Sequence, residues 1–169
     1  MDRPRRRRGS QLKPDPLDGT IEVKYIHTNL TVRDLERISR FYQDIFHCEP
    51  VRNPEDLSGS AVSDITNVEN AAIKYVHLTL PGFGPNGPEL ELIQYENETA
   101  EPEKISNCLG YGHLAFSVAN VRETLEQVVA AGGSAIGKLV TADIPNRGRL
   151  TEVYATDPEG NIIELQHYD

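Results

Sequence analysis

Residues 25–32 read YIHTNLTV and residues 111–118 read YGHLAFSV, and a helix-like stretch follows each of them. Both segments alternate polar and apolar residues, which predicts a strand with one face toward a core, and both carry one histidine on the polar face. Each half of the chain then closes on a strand with a central glutamate, in residues 90–92 (LEL) and 163–165 (IEL). The chain therefore follows one plan twice, and the two halves together predict two modules that hold a metal between them.

The first module is predicted over about residues 24–95. Asp34 is a suitable N-cap for its helix, and the apolar residues of that helix fall on one stripe. A polar segment with Pro and Gly residues predicts a loop or an irregular edge before the last two strands. The expected strand, helix, loop and two closing strands cover residues 24–32, 34–46, 53–70, 71–80 and 88–95.

The second module is predicted over about residues 111–168, after a charged linker at residues 96–110. Asn120 begins its helix with Glu123 at the spacing of a capping box. Residues 157–160, DPEG, predict a type I turn between the last two strands. The expected strands of this module are 111–118, 135–140, 149–156 and 162–167. The predicted fold class is α+β, with the order βαβββ twice.

The length and the composition limit the classes of protein to which the chain can belong. With 169 residues, 38% hydrophobic and 25% charged, the chain fits one soluble domain or two small modules that share a core. We expect no membrane span and no signal peptide, because no apolar run approaches the ~20 residues that a span needs. Cys48 and Cys108 form no CxxC motif, so we expect a reducing, cytoplasmic setting.

The charge is unevenly distributed along the chain. The net charge is −9, but residues 1–20 hold six Lys/Arg against three Asp, which leaves −12 for residues 21–169. An acidic body argues against nucleic-acid binding. We expect residues 1–20, with Arg5-Arg6-Arg7-Arg8, to form a solvated, flexible extension, because the segment has almost no apolar residues to bury; a nucleic-acid or acidic-partner arm is the alternative.

Four side chains are the candidate metal ligands. Each lies on the strand face opposite the apolar residues that are expected in the core, as Glu91 does between Leu90 and Leu92. A single His or Glu in a strand is more often a satisfied or solvated polar group, but the repetition in both modules favours ligands. A set of two imidazoles and two carboxylates suits a borderline divalent metal and leaves positions for water or substrate. The predicted ligands are His27, Glu91, His113 and Glu164.

The remaining histidines are interpreted as non-ligands. His47 ends the first helix, where its charge suits the helix dipole. His167 lies near the C-terminus on the face of Leu165. His77 shares a strand face with Tyr75 and is a candidate to line the pocket, but it has no counterpart in the second module.

Residues 26–35 (IHTNLTVRDL), 110–116 (GYGHLAF) and 157–165 (DPEGNIIEL) resemble the vicinal oxygen chelate superfamily of glyoxalases, bleomycin resistance proteins and dioxygenases. The resemblance covers about residues 24–168. It implies two βαβββ modules that form an open eight-stranded cup around one divalent ion, here Ni, Zn, Co, Mn or Fe, held at the four predicted positions. The extra carboxylate at Glu91 and the GYGH sequence are most similar to glyoxalase I.

The resemblance to glyoxalase I does not extend to its glutathione contacts. Thr31 and Tyr95 stand where that enzyme has an arginine and an asparagine, and residues 105–112 lack its arginine before the second histidine. Loss of these partners removes charge-assisted hydrogen bonds to an anionic adduct, so we expect a different small-molecule substrate.

The implied chemistry is proton abstraction from a metal-chelated hydroxycarbonyl compound by a lyase or isomerase. A divalent metal stabilises the enediolate, Glu164 is the expected base, and Glu91 delivers the proton on the opposite side. The alternatives are an extradiol-type dioxygenase with Fe(II), and a non-catalytic protein that sequesters a small molecule. We also expect a homodimer, because an open cup leaves sheet edges that need cover. The alternative is a monomer in which modules 24–95 and 111–168 pair within one chain.

Overall fold

The computed structural model describes residues 23–99 and 104–169. The basic extension predicted for residues 1–20, and the middle of the predicted linker, lie outside the described residues. The first module contains β1 (His27–Thr31), α1 (Leu35–Phe46), β2 (Glu55–Ser58), α2 (Ser60–Thr66), β3 (Ala72–Thr79) and β4 (Glu89–Tyr95). The second module contains β5 (Leu114–Ser117), α3 (Val121–Ala130), β6 (Ser134–Ile144), β7 (Gly148–Thr156) and β8 (Ile162–Tyr168).

The eight strands form two four-stranded sheets, in the orders β1-β4-β3-β2 and β5-β8-β7-β6. In each sheet the first strand runs parallel to the last strand of its module, and the other pairs are antiparallel. The two sheets therefore have the same topology, which confirms the predicted α+β fold with a duplicated βαβββ plan. Within residues 23–99 and 104–169, none of the helices has both the length and the apolar composition of a membrane span.

The two long helices, α1 and α3, have the N-caps and apolar stripes that the sequence predicts. The Asp34 carboxylate accepts a hydrogen bond from the backbone N–H of Arg37 at 3.0 Å, and Asn120 caps α3 in the same way. The apolar face of α1 is buried, with Ile38 and Tyr42 both at 0% exposure. The N-caps and the stripes were both predicted from local sequence, and both are confirmed.

Residues 53–70 differ from the prediction. We expected a loop or an irregular edge, but the segment contains the short strand β2, which pairs with β3 at the sheet edge, and the helix α2. All four residues of β2 are exposed, and Val62 is the buried residue of α2. Neither element has the apolar periodicity that identifies a strand or a helix from sequence alone.

Three strand boundaries also differ from the prediction. Strand β1 begins at His27 and not at residue 24. Strand β5 begins at Leu114, so His113 lies just before the strand and not within it. Strand β6 runs to Ile144, beyond the predicted end at residue 140, and its pairing with β7 is interrupted between Ile136 and Val140. A break of this kind bends a strand locally and obscures its alternation.

Both modules contribute to one hydrophobic core. Phe46 at the end of α1 stacks on Phe116 of β5, with ring centroids 4.0 Å apart. Leu90 and Leu92 of β4, both fully buried, belong to the same cluster, as do Ile163 and Leu165 of β8. Because α1 is part of this shared core, the strand faces that carry the glutamates are turned away from it.

The turn between β7 and β8 joins the two modules. Its predicted type I geometry is supported by the Gly160 N–H donating to the Asp157 carbonyl at 3.1 Å. The buried Asp157 carboxylate accepts hydrogen bonds from the Tyr42 hydroxyl at 3.2 Å and from the Asn161 side-chain amide at 2.7 Å. It also accepts hydrogen bonds from the backbone N–H groups of Glu159 and Asn161, at 2.9 Å each. Burial raises the pKa of Asp157, while these hydrogen bonds act to lower it.

A second carboxylate of this turn caps the helix of the other module. The two Glu159 oxygens accept hydrogen bonds from the backbone N–H groups of Arg33 and Asp34, both at 2.8 Å, at the start of α1. A negative charge is favourable at a helix N-terminus, where backbone donors are unpaired. The turn therefore fixes the orientation of α1 relative to the second sheet.

Candidate functional site

The first predicted pair lies on neighbouring strands of the first sheet. In the parallel register of β1 and β4, His27 is opposite Glu89 and Asn29 is opposite Glu91. The His27 imidazole Nε2 lies 3.4 Å from Glu91 Oε2. The structure thus brings His27 and Glu91 together, as the alternation of both strands predicts.

A third side chain, His77 of β3, contacts the same glutamate. The antiparallel register of β3 and β4 places His77 directly opposite Glu91, and its Nε2 lies 3.2 Å from Glu91 Oε1. The His77 ring also packs edge-on against His27, with centroids 5.4 Å apart. The sequence placed His77 on the strand face as a candidate to line the pocket, but it did not place the ring next to Glu91, because the pattern of one strand does not contain the register between two strands.

The second ring nitrogen of His77 is also next to a carboxylate. Its Nδ1 lies 2.9 Å from Glu89 Oε2, but the two groups are not aligned as a hydrogen bond, and this buried nitrogen has no hydrogen-bond partner among the described residues. Donors that face two carboxylates are favoured electrostatically. The His77 ring therefore lies between the carboxylates of Glu89 and Glu91.

The second predicted pair has the shortest contact of the site. His113 Nε2 lies 2.8 Å from Glu164 Oε2. Tyr154 is the register partner of Glu164 on β7, and its ring lies against that of His113, with centroids 4.8 Å apart. Tyr154 thus occupies in the second module the position that His77 occupies in the first, so a tyrosine and not a second histidine stands there.

The second module also has an acidic neighbour for its glutamate. Burial raises the pKa of Glu152, and the charge of Glu164 with a hydrogen bond between the two carboxyls raises it further. The pKa of Tyr154 is raised by burial first and then by the charges of Glu164 and Glu152. Two carboxyl groups, those of Glu152 and Glu164, therefore lie next to each other on this side of the site.

Both histidines line one large cavity. It has a volume of about 1060 Å³ and is bounded by the edge strand β1 and by the residues before and within β5, including His27 and His113. Much of the remaining wall is apolar, with Tyr25, Leu109 and Tyr111 exposed to solvent. The cavity is large enough for a small molecule in contact with both imidazoles.

The donor set fits a divalent metal, although the two pairs do not form one complete cluster. Within residues 23–99 and 104–169, no group of three or more His, Cys, Asp and Glu side chains is placed to hold an ion. The nitrogen and oxygen atoms lie 3.4 Å apart in the pair of His27 and Glu91. They lie 2.8 Å apart in the pair of His113 and Glu164. Two ligands ~2.1 Å from one ion lie about 3.0–3.4 Å apart, so both pairs have nearly the spacing of neighbouring ligands.

The remaining histidines have other partners. His167 Nδ1 lies 2.8 Å from the Val118 carbonyl oxygen, and its Nε2 lies 3.4 Å from Asp169. His47 is the C-cap of α1 and adopts a left-handed backbone conformation. Both arrangements are consistent with the interpretation of these two residues as non-ligands.

Comparisons with known proteins agree with the duplicated fold. Residues 24–165 match the family model described as Glyoxalase/Bleomycin resistance protein/Dioxygenase superfamily. The chain is 31% identical over 153 residues to a lactoylglutathione lyase of Haemophilus influenzae, and 30% identical over 145 residues to one of Salmonella typhimurium. Each match covers 85% of this chain and 91% of the relative.

Solved structures show the same fold. A glyoxalase family protein from Bacillus cereus superposes with a TM-score of 0.70 at 15% identity, over 90% of this chain and 97% of that chain. A glyoxalase I variant from Zea mays superposes with a TM-score of 0.57 at 21% identity, over 84% of this chain and 45% of that chain. Together with the family match over residues 24–165, these similarities show that the chain belongs to the glyoxalase/bleomycin resistance protein/dioxygenase superfamily.

Proposed function

We propose that this protein is a metal-dependent, glyoxalase-like lyase or isomerase that moves a proton on a hydroxycarbonyl-type small molecule. The observation that carries the proposal is the pairing of His27 with Glu91 and of His113 with Glu164 at corresponding places in the two sheets. The four side chains would hold one divalent ion, of which Ni, Zn, Co, Mn and Fe are the candidates. The relatives named lactoylglutathione lyase support the same reaction class.

The roles of the two glutamates follow from the chemistry of the reaction. A bound divalent ion supplies Lewis-acid stabilisation of negative charge on the substrate oxygens. Glu164 would take the proton from the carbon next to the carbonyl group and pass it to water, and Glu91 would deliver a proton drawn from water to the opposite side. A carboxylate can do this only within hydrogen-bond reach of that carbon.

The proposed substrate is a small α-hydroxycarbonyl compound, and glutathione is not required for its binding. Thr31 and Tyr95 line an adjoining cavity of about 460 Å³ beside β1 and β4. Their hydroxyl and phenol are neutral hydrogen-bonding groups, and the two cations on the same wall, Arg33 and Lys104, lie 3.5 Å from Glu98 and 2.6 Å from Asn161. S-lactoylglutathione, the compound in the name of the relatives, is therefore the most informative substrate for comparison.

We expect the metal-loaded protein to exchange the α-proton of a hydroxycarbonyl compound with deuterated water. The measurement is proton NMR of a panel of small α-hydroxyaldehydes, α-hydroxyketones and S-lactoylglutathione, each with protein loaded with one of the five metals. Exchange must depend on the metal and disappear when a chelator is added, because the ion stabilises the negative charge that forms when the α-proton leaves. Oxygen uptake with a catechol and the Fe(II) form would support a dioxygenase instead, and tight binding without exchange would support sequestration.

We also propose a homodimer. Leu109 and Tyr111 are fully exposed beside His113, and Tyr25 and Ile105 on the same cavity wall are exposed by 62% and 49%. A second copy of the chain would bury this apolar surface, which is favourable by about 25 cal/mol per Å². Contact between copies would also bring the half-site of one chain toward that of another.

Light scattering is expected to give the mass of two chains at micromolar concentration for the full-length protein. Leu109→Ser with Tyr111→Ser should shift the protein toward the monomer, while Lys138→Ser, an exposed change on β6, should not. A full-length protein that is monomeric at this concentration would refute the dimer. A protein that starts at Thr20 and stays dimeric would show that the basic extension is not needed.

A further inference from the structure

A smaller cavity adjoins the candidate site on the side of β3. It has a volume of about 220 Å³. Its polar lining side chains are Arg52, Asn53, Glu55, Tyr75, His77 and Glu89. His77 connects the cavity to the site, because it lines the cavity while its Nε2 lies 3.2 Å from Glu91 Oε1. The cavity therefore lies beside the groups of the proposed reaction.

The cavity forms where the chain pairs with the edge of β3 twice and leaves that edge in between. The segment before β2 pairs with the end of β3, where the Val51 N–H donates to the His77 carbonyl at 2.9 Å. Strand β2 then pairs with the start of β3, where Glu55 is opposite Tyr75. Residues 52–54 connect the two paired stretches. Because both ends of this connection are bound to the sheet, its backbone is fixed beside the cavity.

The cavity wall offers both hydrogen-bond donors and acceptors. Glu55 Oε2 accepts a hydrogen bond from the Tyr75 hydroxyl at 3.0 Å. This hydrogen bond raises the pKa of Tyr75, and the positive charge of Arg52 acts to lower it, so the guanidinium lies near the phenol. The Glu89 carboxylate lines the same cavity and lies 2.9 Å from His77 Nδ1. Arg52 therefore supplies N–H donors, and the two carboxylates supply acceptors.

This combination of groups selects the chemistry of a ligand. An anionic group would face the carboxylates of Glu55 and Glu89. An ammonium group would face the guanidinium of Arg52, and both carboxylates already have a neighbour, Tyr75 or His77. An apolar group would cover these polar atoms without pairing them. Hydroxyls on neighbouring carbons can donate to a carboxylate and accept from a guanidinium, so the cavity fits a neutral polyhydroxylated group.

We propose that this cavity binds the polyhydroxylated chain of a sugar-like substrate, whose hydroxycarbonyl end lies at the candidate site. The inference rests on the proposed function, because it names the class of substrate on which that site acts. Tyr75 and His77 alternate on β3, and His77 is opposite Glu91, so the cavity and the site share one face of the sheet. A water molecule occupies about 30 Å³ in the liquid, so the cavity has room for about four hydroxyl-bearing carbons. Arg52 is then a specificity-determining residue and not a catalytic one.

The first test measures binding to the metal-free protein, so it needs neither metal nor activity. NMR titrations compare four compounds with the same carbon number, namely erythritol, succinate, 1,4-diaminobutane and 1-butanol. We expect erythritol to shift the side-chain amide signals of Asn53 with a dissociation constant on the order of 1–10 mM. The amide of Asn146, in the turn between β6 and β7, is the reference that should not respond. Tighter binding of any of the other three compounds at Asn53 would overturn the choice of a polyol.

The second test changes the donor. Arg52→Met keeps the stem of the side chain and removes its N–H groups, so it should weaken erythritol binding by about tenfold or more. Arg52→Lys should restore part of the affinity, because an ammonium also donates. Arg122→Met removes an exposed arginine from α3 and is the matched control, which should bind erythritol as the unmodified protein does. Circular dichroism checks each fold, and equal binding by Arg52→Met and Arg122→Met would overturn the proposal.

Proton exchange by the metal-loaded protein then connects the cavity with the reaction. Xylulose and 1-hydroxy-2-pentanone have the same hydroxyketone end and the same number of carbons, but only xylulose carries further hydroxyls. We expect kcat/KM for exchange to be higher for xylulose by about tenfold or more, and this ratio should fall toward one in Arg52→Met.

The experiments separate this proposal from the proposed function. If no compound exchanges its α-proton with any of the metals, the proposed function fails, and erythritol binding still decides whether the cavity takes a polyhydroxylated group. If exchange occurs and Arg52→Met has the same ratio of kcat/KM values as Arg122→Met, the role of the cavity is refuted while the proposed function stands.

Discussion

Glu164→Ala is expected to lose most of its bound divalent metal and to exchange no substrate α-proton. The variant removes one of four proposed ligands, and even an outer group that merely orients a ligand is worth about 10–100-fold in affinity. The same carboxylate is the proposed base, and loss of a positioned base typically slows proton transfer by about 10²–10⁴-fold. Elemental analysis of protein purified without chelator measures the first effect, and NMR in deuterated water measures the second.

The control for this variant is Glu126→Ala, which removes the same charge from the exposed face of α3. It should keep one ion per complete site and the full rate of exchange. The unmodified protein must also contain metal or take up Ni, Co, Zn, Mn or Fe. If it does neither, or if Glu164→Ala keeps its full metal content, the four-residue site is wrong.

The parts of the fold that the sequence predicted well are those set by local patterns. Helix α1 was identified from Asp34 and an apolar stripe, and that stripe is buried in the shared core. Strand β4 was identified from alternation, and its two leucines, Leu90 and Leu92, are fully buried. In both cases the residues that define the pattern are also the residues that pack, so local and tertiary preferences agree.

The elements that were missed depend on contacts between distant residues. Strand β2 is wholly exposed and exists because it pairs with β3 at the sheet edge. His77 was placed on the correct face, but its contact with Glu91 follows from the register of β3 with β4 across a long loop. Register is not visible in the alternation of one strand, because every second residue fits the same pattern.

The turn at residues 157–160 shows the same division between local and tertiary information. Its hydrogen-bonded turn was predictable from Asp, Pro and Gly at their preferred positions. The partners of its side chains were not, because Tyr42 and the start of α1 lie more than a hundred residues earlier in the chain. Carboxylates that looked like turn residues thus also connect the two modules.

Asp157→Ala is therefore expected to destabilise the whole protein by about 3–5 kcal/mol. The change leaves the Tyr42 hydroxyl, two backbone N–H groups and the Asn161 amide without their acceptor, and a buried unsatisfied group costs about 1–3 kcal/mol. The losses do not add fully, because water can reach the turn once the carboxylate is gone. Urea unfolding followed by circular dichroism gives the free energy of unfolding.

Tyr42→Phe separates the contact between modules from the contacts within the turn. It keeps the buried ring and removes only the hydroxyl that donates to Asp157, so we expect a cost of about 1–2 kcal/mol. In Asp157→Ala the Tyr42 hydroxyl has already lost its acceptor, so removing that hydroxyl as well should cost less free energy of unfolding than it does in the unmodified protein. The double variant should therefore be destabilised by less than the sum of the two single changes. Asp143→Ala, an exposed aspartate on β6, should change stability by no more than about 0.5 kcal/mol. Additive effects of the two changes, or an Asp157→Ala variant as stable as Asp143→Ala, would show that this carboxylate does not hold the modules together.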